Sequence, residues 1–443
     1  MCSAYRHVSK LKGIVFSSKE LFVFSLPIVF GQVGQMLIGA GDTLVAARYS
    51  TETVAAVGLA GGIMSPLFVA GLGFMSGAAP ILATKRGEGE KDIGKYLFSI
   101  IVYSVAVAVV VQLLLFAMFP LIPYLGMDEQ LVPLVKEYTV LFSFSFLGAY
   151  LFQGLKEFLQ SFEDVVVPNV LSIVAVFINI ALNLVFVFGV KPVPEFGIKG
   201  LAFASILVRA FLAISVLIYA KKYFTSFSIQ KKFLLEVLKL STPIAFTIGV
   251  EVAAFSVSTI IVGNFGMIQT AAHNVVLTLA SITFMVPLAI SSALSVKVGY
   301  AYGEKNIDRV KQFIASGLFL SLTFMGMTGA LFFFFPAFWL ELFTQDTQVV
   351  TIGVTLLYLV AMFQLVDGTQ ITLTGILRGL GETKSVFVLI LVAYWVAGIP
   401  FGSYLAFYHR LGAQGVWIGL TIGLFLIGSG LIVLLKKKMA AIV

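Results

Sequence analysis

The sequence predicts an all-α integral membrane protein of about twelve transmembrane helices, built as two similar six-helix lobes. Three observations predict it. Of the 443 residues, 59% are hydrophobic and 11% charged, with a mean hydropathy of +1.04. A soluble domain carries about 25% charged residues, because its surface must face water. Charge-free runs able to cross about 30 Å of hydrocarbon as a helix of roughly 20 residues recur along the whole chain. The second half of the chain also repeats the first at a constant offset of 216 residues.

The helices read off in order as follows. Clear apolar runs are Leu21 to Gly41, Thr53 to Thr84, Tyr96 to Met127, Val165 to Val190, Gln312 to Leu340, Ser385 to Tyr408 and Leu411 to Leu435. Shorter ones, or ones carrying a single charge, are Tyr138 to Leu155, Leu201 to Ala220 around Arg209, Leu240 to Gly263 around Glu251, Thr270 to Val296, and Val349 to Leu377 around Asp367. Assigning the connecting segments alternately to the two sides places 23 Lys and Arg on one side, Lys156 and Lys297 among them, and 5 on the other. The positive-inside rule then puts both termini in the cytoplasm. The net charge of +8 therefore reflects topology, and no nucleic-acid partner is expected. The first apolar run follows a polar segment and is not closed by a small-residue cleavage pattern, so it is expected to stay as the first helix. Cys2 as the sole cysteine excludes a disulfide framework, and His7, His273 and His409 are too scattered for a zinc motif.

The repeat carries the domain reading. The offset of 216 aligns Pro27 with Pro243, Ala55-Ala56 with Ala271-Ala272, Gly87-Glu88 with Gly303-Glu304, Asp92 with Asp308, and Phe119-Pro120 with Phe335-Pro336. A slightly different shift pairs Gly197-Ile198-Lys199-Gly200 with Gly412-Ala413-Gln414-Gly415. The offset contains an even number of helices, so the halves share one orientation and are related by an axis along the membrane normal. The expected lobes are residues 1–220 and 240–443, joined by a basic cytoplasmic linker over 221–239.

An ionisable group at the bilayer centre costs about 2.5 to 3.5 kcal/mol on insertion scales and is by default functional. Asp42, Glu251 and Asp367 are such groups. Gln32, Gln35 and Asp42 share one helix face, as do Gln364, Asp367, Gln370 and Thr374. Asn179 and Asn183 lie one turn apart, and the repeat places Gln35 opposite Glu251. A carboxylate here can take up a proton or bind Na+, and either event changes the charge of a cavity wall. Only Arg209 could neutralise one of these acids from within a span. Pro27 and Pro243 mark candidate hinges near the inner ends of the first and seventh helices.

Gly41-Asp42-Thr43, the loop Arg86-Gly87-Glu88-Gly89, Tyr302-Gly303-Glu304 and the segment Gly375-Ile376-Leu377-Arg378-Gly379-Leu380-Gly381 together resemble the multidrug and toxic compound extrusion (MATE) family. Glu251 and Asp367 make the chain most similar to its bacterial NorM-like branch. The resemblance implies a V-shaped two-lobe fold in the bacterial plasma membrane. It also implies an antiporter that exports lipophilic cationic small molecules in exchange for H+ or Na+. By that resemblance Asp42, Asn179 and Asn183 would form an ion or substrate site in the first lobe. Glu251 and Asp367 would form a cation site, for Na+ among others, in the second. Some NorM-like members have a Tyr one turn before the acid of the tenth helix; here that residue is Phe363, which leaves proton coupling open. No organic cofactor, no enzymatic activity and a monomer are expected. The chain carries no Gly-x-x-x-x-Gly-Lys-Ser/Thr phosphate loop, so an ion gradient must supply the energy. The alternative is a lipid or polysaccharide-precursor flippase of the same wider superfamily, but its anionic substrates would call for basic residues where this chain has acids.

Overall fold

The computed structural model describes residues 2–124 and 127–442, with side chains from Gly13 onward. The side chains of Cys2 and His7, discussed above, lie outside the described residues. Among the described residues the chain is helical without a strand. Twelve helical segments are long and apolar enough to span a membrane: Gly13–Tyr49, Thr51–Gly87, Gly94–Tyr124, Val132–Ser161, Val166–Phe188, Ile198–Tyr223, Lys231–Gly263, Met267–Gly303, Ile307–Phe334, Thr347–Gly379, Lys384–Phe407 and Ala413–Ile442. They are called spans one to twelve below.

Several spans are longer than the sequence reading gave. A helix of 37 residues, such as the eighth span, runs about 55 Å and so extends well beyond about 30 Å of hydrocarbon. Two basic residues placed in loops by their charge are therefore corrected. Lys156 lies inside the helix Ser145–Ser161 and is buried. Lys297 lies inside the eighth span, buried, with Nζ donating to Glu20 Oε1 at 2.6 Å. An apolar window stops at the first charge, whereas the backbone ladder does not, and a paired or snorkelling side chain lets the helix run on. Glu20 also accepts from Arg309 Nη2 at 3.3 Å, and Arg309 Nη1 reaches Glu304 at 3.4 Å. The linker stretch behaves similarly: the seventh span already begins at Lys231.

The chain parts into two compact units. The first comprises Phe30–Leu82 and Glu90–Ala245, and the second Met1–Val29, Ala83–Gly89 and Phe246–Val443. The first and seventh spans change unit at Phe30 and Phe246, positions one repeat offset apart. Pro27 and Pro243 lie three residues before these crossings.

The first unit is built around two apolar cores. Met75, Leu97, Phe158 and Val216 belong to one, and Met64, Phe146, Tyr150 and Leu201 to the other. At its edge, outside the spans, the Asp164 carboxylate accepts hydrogen bonds from Lys222 Nζ at 2.8 Å, Tyr223 Oη at 2.9 Å and Tyr219 Oη at 3.0 Å. Burial alone would raise this carboxyl, but the donors outweigh it and hold it below the usual carboxylate range. A depressed folded-state pKa gives stability that is present above the unfolded value of about 3.9 and is lost as pH falls through the folded value. Asp164→Asn should therefore melt lower than the parent at pH 7. In thermal scans of detergent-solubilised protein, that gap should close as the pH drops through the acid range.

The second unit contains two close backbone approaches. A Cβ on Gly87 would lie 2.2 Å from Tyr300 O and 3.0 Å from Glu304 N, and one on Gly303 would lie 2.2 Å from Thr84 O and 3.1 Å from Glu88 N. The offset of 216 relates Thr84 to Tyr300, Gly87 to Gly303 and Glu88 to Glu304, so these are two copies of one contact. They explain why both Gly-Glu motifs need glycine. Elsewhere in this unit, Gly398 and Gly402 on span eleven face Gly415 and Gly419 on span twelve. A Cβ on Gly419 would sit 2.4 Å from Gly398 O and from Gly402 Cα. In lipid, small residues spaced by four allow this packing, since tails are as apolar as Leu and close approach supplies the attraction. Gly419→Val should lower stability by about 1–3 kcal/mol through overpacking, read as a drop in melting temperature.

Candidate functional site

The first unit holds a buried carboxylate cluster. Asp42, 6% exposed near the C-terminal end of the first span, accepts from Asn183 Nδ2 at 2.7 Å and Asn179 Nδ2 at 3.0 Å through Oδ1, and from Ser205 Oγ at 3.1 Å through Oδ2. The asparagines are fully buried and one turn apart on the fifth span, so both amides reach one oxygen. Gly41 admits the fifth span, because a Cβ there would lie 3.2 Å from Asn179 Oδ1. Three donors satisfy a carboxylate that would be costly to bury alone. Ser205 was not singled out from the sequence. Its only signal is its place one turn before Arg209 on the sixth span.

Arg209 acts on Asp42 through space but forms no ion pair with it. Its guanidinium carbon sits 4.5 Å from the Phe68 ring centroid and 4.6 Å from that of Phe142, and Nη1 donates to Ser145 Oγ at 2.7 Å. Gln35 is not part of this cluster. It is exposed and donates to Ser172 Oγ at 3.3 Å.

The second unit brings together Glu251 on the seventh span with Gln370 on the tenth, whose Nε2 donates to Glu251 Oε1 at 2.9 Å. Asp367 lies one turn before Gln370 and within electrostatic reach of Glu251. Among the described residues, Asp367 makes no hydrogen bond and neither acid forms an ion pair. Gln364, a turn before Asp367, instead donates to Thr283 Oγ1 on the eighth span at 2.7 Å, tying the tenth span in place. Tyr394, unforeseen in the sequence, is buried within reach of both acids, on a π-helical turn over Ala393–Gly398. A π turn widens the helix and re-aims side chains, and such turns gather at functional sites. Phe363 is buried edge-on to Trp417, 5.4 Å between centroids.

The two units thus differ. In the first, the acid is saturated by neutral donors beside a fixed guanidinium. In the second, two acids share one neighbourhood with a single amide donor between them, and Arg378, inside the tenth span, acts on Glu251 through space, so Arg209 is not alone in reaching an acid from within a span.

Comparison with known proteins gives these features a context. The MatE family model matches residues 27–185 and again 243–404, one match for each copy of the repeat. A probable multidrug resistance protein NorM of Acinetobacter baylyi is 30% identical over 427 residues, covering 94% of this chain and 95% of the relative. The multidrug resistance protein NorM of Photobacterium profundum is 28% identical, with 92% of each chain covered. Among solved structures, the Vibrio cholerae MATE transporter VcmN in its bent form superposes with a TM-score of 0.87 at 20% identity, covering 97% of this chain and 99% of that one. The eukaryotic MATE transporter AtDTX14 gives 0.86 at 20%, with the same coverage. With twelve spans and both repeats matched, the chain belongs to the MatE family of membrane transporters, whose members are not enzymes.

Proposed function

We propose that this protein is a secondary active multidrug efflux antiporter of the bacterial plasma membrane, with both termini cytoplasmic. It exports cationic amphipathic compounds in exchange for H+ or Na+ by alternating access. The observation that carries the reading is the pair Glu251 and Asp367, two neighbouring acids inside a membrane-spanning unit with no ion pair. Such a pair binds a proton, a Na+ or an organic cation at the same place, so occupancy by one disfavours the other. That competition is the minimum needed for exchange. For Na+, the carboxylates would be joined by oxygens such as the Gln370 side-chain carbonyl, whose amide nitrogen already faces Glu251. The names of the NorM relatives support the efflux direction and the breadth of substrate. Asp42 with Asn179 and Asn183 supplies a second site for an ion or substrate. Pro27 and Pro243, beside the points where helices pass between units, serve as hinges.

The test is flux of ethidium in proteoliposomes with a pH gradient and a Na+ gradient imposed separately. At least one gradient should drive ethidium uphill. Flux that only runs downhill and ignores both gradients would overturn the antiport reading.

A further inference from the structure

Arg209 is a charged side chain inside a span of the first unit that the proposed exchange does not use. It is partly exposed, and its place is fixed on three sides by Phe68, Phe142 and Ser145. A guanidinium carries five N–H donors in a planar fork. One of them is donated to Ser145; the remaining donors have no acceptor among the described residues. Both oxygens of Asp42, the nearby acid, are already taken by Asn179, Asn183 and Ser205. Because Ser145 takes only Nη1, the Nε–Nη2 edge, whose parallel N–H groups match a carboxylate, is left free. The aromatic contacts mean that Phe68 and Phe142 already hold an internal cation and are less available to an organic one.

We propose that Arg209 is a specificity-determining residue that receives the carboxylate of substrates bearing one, so that the first unit favours zwitterionic amphiphiles over their esterified, purely cationic counterparts. The proposal rests on the efflux reading for its biological setting, but its geometry does not depend on the coupling ion. Lys would not replace the fork, since an ammonium offers a point charge without parallel donors.

The test uses a matched pair of dyes: a rhodamine with a free benzoate, which is a zwitterion, and its methyl ester, which is a cation. Binding to purified full-length protein in detergent is read by fluorescence polarisation, and flux is read separately in proteoliposomes. In Arg209→Gln the preference for acid over ester should fall about tenfold or more, the loss expected for a charge-assisted hydrogen bond. Arg209→Lys should recover only part of it. If Arg209→Gln does not fold, Ser145→Ala, which releases Nη1 from its tether, should lower the same ratio. An unchanged ratio in the folded variants overturns the proposal. A changed ratio in a protein that moves neither dye against any gradient would instead remove the efflux reading and leave the carboxylate site standing.

Discussion

Asp367→Asn should abolish gradient-driven accumulation of ethidium in vesicles while leaving the protein folded. The change removes a charge and almost no volume. Asp367 makes no hydrogen bond among the described residues, so no network collapses with it. What is lost is the ability to carry a charge beside Glu251, and with it the proposed link between ion and substrate. One charge moved through 100 mV is worth about 2.3 kcal/mol, or about fiftyfold in the concentration ratio that can be sustained. Losing one coupled charge should lower the steady-state ratio by about that factor. Glu251→Gln should act in the same direction but less cleanly. Gln370 donates to Glu251 at 2.9 Å, and a Gln side chain can still accept that bond. Asp164→Asn, outside the spans, is the control for loss of a carboxylate as such. If Asp367→Asn accumulates ethidium as the parent does, Asp367 does not carry the coupling.

Gly303→Val should be strongly damaging to folding. A Cβ there would stand 2.2 Å from the carbonyl oxygen of Thr84, a backbone atom within a helix that cannot swing aside. The cost should exceed the roughly 1–3 kcal/mol typical of overpacking by a flexible neighbour. Loss of the monodisperse peak in size-exclusion chromatography would report it. Gly87→Val should do the same against Tyr300 O. Because the two sites share one contact region, the double variant should be less harmful than the sum of the singles. Full additivity would show that the approaches are independent.

The spans, their number and the repeat were legible because lipid imposes a single coarse rule: apolar runs of fixed minimum length. The same rule misled at helix ends, where Lys156 and Lys297 stay helical and buried although their charge marks a boundary in any apolar window. Asp42 with Asn179 and Asn183 could be anticipated, since turn spacing puts the two amides on one face. Their meeting with Ser205 could not, because a lone serine in an apolar helix carries no periodic signal. Glu251, Gln370 and Asp367 were conspicuous as polar groups in lipid. Tyr394 was hidden, since its approach depends on a π turn that spacing of 3.6 residues does not foresee. Gln35 shows the converse: it shares the polar stripe of Asp42, yet it ends on Ser172 outside the cluster.

The two glycine contacts bear on how such a chain arose. Gly87 meets the backbone of Tyr300 and Glu304 while Gly303 meets that of Thr84 and Glu88. That is the pattern of an isologous interface, where residue i touches j of its partner and j touches i in return. A half-length chain with one copy of the motif would complete this contact only by pairing with a second copy of itself in the same orientation. Joining the copies in one polypeptide makes the pairing permanent and frees each side to diverge. The interface shows that divergence already, with Tyr300 standing where its counterpart is Thr84.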